Sequence, residues 1–137
     1  MRLLSTEHGV QFEIVRNHED DPHSDLTIRA EIQTAFGNFS GENAAVHISG
    51  FDTFLKKFDD FLKTRQGEIV LQMTEDNAVT FFRWNAKGDV GMRFTLCRYT
   101  YVGDPAKTCP VVLRGEFPLA GEFLTQLRSD FAKLVEP

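Results

Sequence analysis

The stretch Ser49-Gly50-Phe51-Asp52-Thr53-Phe54-Leu55-Lys56-Lys57-Phe58-Asp59-Asp60-Phe61-Leu62-Lys63-Thr64-Arg65-Gln66-Gly67 decides the fold. Its apolar residues, Phe51, Phe54, Leu55, Phe58, Phe61 and Leu62, recur by threes and fours, while Asp52, Lys56, Lys57, Asp59, Asp60 and Lys63 fill the other side. That spacing predicts an amphipathic helix with one stripe to bury. Ser49 is the expected N-cap, with Asp52 three residues on, as in a capping box and at the positive end of the dipole. Gly67 is the expected left-handed stop, with Lys63 and Arg65 near the negative end.

Outward from this helix the chain reads as strand. On the N-terminal side, Gln11–Arg16 and Leu26–Gln33 alternate, the latter with Leu26, Ile28, Ala30 and Ile32 on one face and Thr27, Arg29, Glu31 and Gln33 on the wet face. Phe36–Gly41 is expected as a bend or bulge, and Ala44–Ile48 leads into the helix. On the C-terminal side follow Glu68–Met73, Ala78–Trp84, Val90–Leu96 and Val111–Phe117, with turns at Glu75–Asn77 and Asn85–Asp89 and a loop over Val102–Lys107. Pro118 is expected to end the last strand. A second helix from about Leu119 carries Phe123, Leu124, Leu127, Phe131 and Leu134 at helical spacing. The expected fold is a single α+β domain over residues 1–137: an antiparallel β-meander sheet packed by one central and one C-terminal amphipathic helix.

Composition narrows the function classes. Thirteen phenylalanines stand against one tryptophan and two tyrosines; a ring without a polar atom belongs inside, where each is worth about 1.5–3 kcal/mol. The net charge of −5 counts against sequence-independent nucleic-acid binding, which needs a basic face. It suits a basic partner or plain solubility. Met1–Gly9 has no apolar core of signal-peptide length, and no run approaches the ~20 apolar residues that span a bilayer. With Cys97 and Cys109 as the only cysteines, the expectation is a cytoplasmic chain with reduced, packing thiols. A hairpin near Gly103-Asp104-Pro105 would place Cys97 opposite a residue beyond Cys109.

Motifs for chemistry are absent. Neither GxSxG, GxxxxGK[ST] nor GxGxxG occurs, and Cys97 has no flanking group to lower its pKa. The run His18-Glu19-Asp20-Asp21-Pro22-His23-Ser24-Asp25 collects imidazoles and carboxylates, but its spacing fits no zinc or calcium loop, and it reads as a solvated turn. Its acids Glu19, Asp20 and Asp21 are candidates for meeting a basic partner. His8 and His47 are isolated. No catalytic residue, metal ligand or cofactor site is therefore assigned. The more informative feature is the face turned away from the helices, where Phe82, Trp84, Arg93, Tyr99 and Tyr101 share one side of neighbouring strands. Aromatic rings with arginine on a wet sheet face have the composition of protein-recognition hot spots; the alternative is a sheet covered on both sides, with the C-terminal helix or the N-terminal strand over these rings.

The whole-chain skeleton resembles the WapI-type immunity proteins of bacteria, cytosolic partners of secreted polymorphic toxins. The shared features are the opening Phe12-Glu13-Ile14-Val15 strand, Phe39-Ser40-Gly41 before the strand entering the helix, the Phe54 and Phe58 stripe, Gly67-Glu68-Ile69-Val70-Leu71 and Gly88-Asp89-Val90. The resemblance implies a protein that binds a toxin domain and blocks its active site; it carries over no catalytic or interface residue. The leading expectation is a non-enzymatic protein-binding module whose partner is another protein, such as a basic toxin domain. The alternatives are a small-molecule binder or enzyme with a pocket between helices and sheet, and a structural domain that homodimerises through its outer aromatic face.

Overall fold

The computed structural model describes residues 2–5, 9–21 and 23–135. Its strands form two antiparallel sheets of four, each a meander in chain order. The first holds β1 (Arg2–Ser5), β2 (Val10–Arg16), β3 (Leu26–Thr34) and β4 (Gly37–Val46). The alternation in β3 places Leu26, Ile28 and Ala30 inside, while Arg29 faces out and donates to Glu42 at 2.6 Å. Thr27, expected to face water, is buried; its hydroxyl donates to Asn17 Oδ1, which makes that position tolerable. The bend expected over 36–41 is instead a tight turn at Ala35-Phe36, where the Thr34 hydroxyl accepts from Phe36 N–H and donates to the Gly37 carbonyl. From Gly37 onward the chain is already β4.

The second sheet follows the central helix: β5 (Glu68–Gln72), β6 (Ala78–Arg83), β7 (Val90–Val102) and β8 (Lys107–Leu119). The last two strands pair along their full length, from Val90↔Leu119 to Val102↔Lys107. They therefore run well past the expected limits at Leu96 and Val111, because Arg98-Tyr99-Thr100-Tyr101 pairs with Thr108-Cys109-Pro110-Val111 and is rich in strand formers. Pro118 does not end β8, which continues to Leu119. Proline fits there because β8 is an edge strand and a missing N–H that points away from β7 breaks no ladder bond. The register places Cys97 opposite Val112 and Cys109 opposite Thr100, so the thiols do not face each other.

The helix α1 spans Phe51–Thr64. Ser49 does not cap it. Gly50 occupies the N-cap in a left-handed conformation (φ 69°) with no side-chain bond, a geometry that glycine adopts without steric cost. At the other end Arg65 is left-handed and its N–H reaches the Phe61 carbonyl at 2.7 Å, so the helix stops two residues before Gly67. The stripe buries Phe54, Phe58 and Phe61, with Phe51, Leu55 and Leu62 packed at its margin. The second helix, α2 (Gly121–Val135), begins beyond Leu119 and buries Leu124, Leu127 and Phe131. The two helices meet on the inner face of the second sheet: the Phe58 ring lies 5.0 Å from Phe81, 5.7 Å from Phe54 and 5.8 Å from Phe131, centroid to centroid.

Above this contact Arg128 forks onto Asp59 at 2.7 and 3.2 Å. The hydrogen bond from Arg128 holds the Asp59 carboxyl below its ordinary range. A carboxylate with a depressed folded-state pKa adds stability above the unfolded value near 3.9, and that stability is lost as pH falls through the folded value. Both groups are partly exposed, which limits the contribution to about 1 kcal/mol or less. Melting temperatures of wild type and Asp59→Asn are expected to differ at about pH 6 and to converge toward about pH 2, on either side of the carboxylate range.

A single β-layer was expected to hold both helices. The helices cover the part of the second sheet around β5 and β6, and the first sheet covers the inner face of β7 and β8 beside them. There Phe12 and Phe94 stack at 5.4 Å, and Gly115 gives Phe94 and Ile32 room that a Cβ would occupy at 2.5 and 2.8 Å. One hydrophobic core thus runs through both sheets and both helices. The connection out of β4 ties the sheets again, through a bridge between Ile48 and Met73.

Candidate functional site

The outer face of the second sheet is open, and its register confirms that Phe82, Arg93, Tyr99 and Tyr101 point the same way. Phe82 and Trp84 lie against Gly91, where a Cβ would sit 2.6 and 2.7 Å from their rings. Arg93 stacks over Phe82 at 5.1 Å while donating to Glu116 at 2.8 Å and facing Glu68 at 4.0 Å. This is a cation on an aromatic platform, held by two carboxylates. The tyrosines do not join it. From Gly91 to Tyr99 the strand rises about 26 Å at ~3.3 Å per residue, so the five aromatic and arginine candidates divide into two patches.

The second patch belongs to the far half of the β7–β8 hairpin, which projects beyond β6 as a two-stranded arm. Its root is fixed by two buried asparagines. Asn77 Nδ2 donates to the Cys97 carbonyl at 3.0 Å and Asn77 Oδ1 accepts from Cys97 N–H at 2.8 Å. Asn43, from β4, donates to the same carbonyl at 3.0 Å. Asn77 so continues the ladder past the end of β6, where Thr95 pairs with Ala78. The turn before it, Glu75-Asp76, is left-handed at both residues, and the Asp76 carboxylate accepts a short hydrogen bond from the Tyr99 hydroxyl. That bond, and then the carboxylate's charge, push the Tyr99 phenol up to about 12. Asp76→Asn is expected to bring it back toward 10, read by phenolate absorbance in an alkaline titration.

Beyond the root the arm is exposed on both faces. Tyr99, Tyr101 and Val112 lie on the outer face, Val102 and Val111 on the inner, with Tyr101 at 76% and Val111 at 61% of full exposure. The inner face and the first half of β4 enclose an open groove of about 780 Å³, lined by Phe39, Gly41, Asn43, Leu96, Arg98 and Val111 among others. Phe39 is 54% exposed there, and Phe36, at the tip of the β3–β4 turn, is almost wholly in solvent. Arg98 and Lys107 belong to this arm with the single acid Asp104, and Arg114 lies just short of it opposite Thr95, on a chain whose net charge is −5. Among the described residues none of these three cations has a carboxylate partner, in contrast to Arg29, Arg93 and Arg128.

The acidic candidates lie elsewhere. Glu19, Asp20 and Asp21 are exposed in the β2–β3 turn of the first sheet. Arg16 at its base donates to the carbonyls of Asp21 and Leu134, which sets the turn beside the end of α2 rather than beside the arm. A cleft of about 260 Å³ opens there, and His47 Nε2 approaches Asp25 at 2.6 Å. Among the described residues no group of three His, Cys, Asp or Glu could hold a metal ion; His8 and Pro22 lie outside the described residues. Also among them, no helix is long and apolar enough to cross a membrane.

The eight predicted partner residues thus occupy three separate places, and only Tyr99 and Tyr101 adjoin a groove. Sequence reasoning missed Phe39, Arg98, Val111 and Val112. Val111-Val112-Leu113 was legible as a strand, but two apolar faces ordinarily indicate cover on both sides, so nothing in its sequence marks either face as open. No family model, curated protein or solved structure matches this chain.

Proposed function

We propose that this chain is a non-enzymatic protein-binding module that engages its partner with the β7–β8 arm and the groove beneath it. The supporting observation is the exposure of Tyr101, Val102, Val111 and Val112 on a hairpin that is nonetheless anchored by buried asparagines. Large apolar side chains grouped on a rigid surface mark interaction sites. The skeleton likeness to immunity proteins gives this module a concrete role, an arm or groove laid over a toxin domain to occlude its active site. A small-molecule site is the second reading, because the groove has ligand-site volume. The helix–sheet space first considered for such a pocket is filled by Phe54, Phe58, Phe81 and Phe131.

The test is affinity capture from the native host with wild type and with Tyr101→Asp/Val111→Asp. The reading expects one or more proteins retained by wild type, lost from the variant and kept by a Trp84→Ala control. Equal capture by the arm variant, or no capture by any form, would set the reading aside. A dimer in size-exclusion chromatography that the arm variant dissolves would transfer this surface to self-association.

A further inference from the structure

We infer that the groove receives an extended segment of a partner protein that alternates apolar and acidic side chains, laid along the first half of β4. This rests on the protein-binding reading and specifies the partner's chemistry.

Two observations point to it. The first is charge. The inner face of the arm presents two cross-strand pairs that each join a valine to a cation, Arg98↔Val111 and Val102↔Lys107. Neither cation is neutralised within the chain among the described residues, and both belong to a basic island on an acidic molecule. Complementary carboxylates on the occupant would be steered there and held beside an apolar contact. Glu42, the one acid in the groove lining, is already engaged by Arg29 at 2.6 Å, so a basic segment, the partner first expected for the distant acidic turn, finds no unpaired carboxylate there.

The second observation concerns which edge is open. β8 carries Pro110 and Pro118, whose missing N–H groups interrupt an added strand. Toward the end of β4 and just past it the residues are already engaged: Ala44 O accepts from Asn17, Ala45 N–H donates to Asn43, and beyond the strand His47 N–H donates to Thr74. Asn38–Glu42 remains, the outer strand of its sheet, with neither proline nor lysine, and it lines the groove. An extended segment there gains main-chain bonds from β4 and side-chain contacts from Phe39, Val111 and Arg98.

The probe is a fluorescein-labelled peptide of about nine residues alternating valine and glutamate, compared by anisotropy with a valine–lysine peptide and with oligothymidine. The expectation is binding of the glutamate peptide alone, weakening as salt rises. Arg98→Glu/Lys107→Glu should weaken it about tenfold or more without changing the melting temperature, since both side chains are exposed. No binding of the glutamate peptide, equal binding of the lysine peptide, binding of the oligonucleotide, or wild-type affinity in the charge-reversed protein would each overturn the inference. Capture of the same arm-dependent partner by the charge-reversed protein would remove the acidic-segment inference while leaving the arm reading in place. Capture by Tyr101→Asp/Val111→Asp would remove the arm reading itself.

Discussion

Phe58→Asp is expected to yield a chain that no longer melts cooperatively. Phe58 is fully buried and its ring touches those of Phe54, Phe81 and Phe131, so it joins α1, α2 and β6 at one point. Truncation of such a ring alone costs about 3–5 kcal/mol. Aspartate adds the desolvation of a carboxyl group with no hydrogen-bonding partner, several kcal/mol more. The sum is comparable to the ~5–15 kcal/mol that holds a domain of this size together. Lys57→Asp, one position away on the exposed face, should stay within about 0.5 kcal/mol of wild type. Circular dichroism melts of the two variants make the comparison. A soluble Phe58→Asp protein with a sharp transition would mean that α1 presents a different face to the sheet.

The second large effect is expected at Asn77. This side chain is completely buried, and it satisfies both the N–H and the carbonyl of Cys97 while also donating to the Thr74 carbonyl at 2.8 Å. Asn77→Ala leaves the Cys97 N–H without that partner inside the protein. An orphaned buried group costs about 1–3 kcal/mol, and the vacated volume adds to it, for a total of about 2–4 kcal/mol by chemical denaturation. Asn43 still donates to the Cys97 carbonyl, so the sheets should stay together while the root of the arm loosens. Amide exchange in Cys97–Tyr101 should therefore accelerate more than in β5. Uniform acceleration throughout the second sheet would show that Asn77 has no special hold on the arm.

The core was legible where one residue type dominated one period. The phenylalanine stripe of α1, the alternation of β3 and the stripe of α2 each state which side is buried, and the structure buries those sides. What periodicity does not state is how many layers the strands make. The inward residues of β2 and β3 read the same whether they face helices or a second sheet, and contacts between the sheets such as Phe12–Phe94 distinguish the two. The length of the arm was hidden for a related reason. Arg98 to Val102 alternates its tyrosines with Arg98 and Thr100 but brings no apolar residue to the inner face before Val102, and strand pairing there depends on β8 rather than on a core. Gly50 displaces Ser49 at the helix cap because the cap residue is left-handed, a conformation that glycine adopts without steric cost and serine does not.

The candidate site was legible as composition and not as place. The outer-face parity of Phe82, Arg93, Tyr99 and Tyr101 follows directly from alternation, yet strand length separates them into two patches. The groove depends on Phe39 from the first sheet meeting Val111 from the second, a juxtaposition with more than seventy intervening residues and no local signature. Asn43 and Asn77 look like turn residues in sequence, but their role depends on β6 reaching only to Ala78, opposite Thr95, while its neighbour β7 runs on to Val102.

The account stands on where a captured partner sits, and hydrogen–deuterium exchange of the complex measures that directly. Slowed exchange concentrated in Asn38–Asn43 and in the arm from Arg98 to Leu113 is the predicted result. Protection centred instead on Phe82–Trp84 or on the Glu19–Asp21 turn, with the arm exchanging as in the free protein, would contradict it.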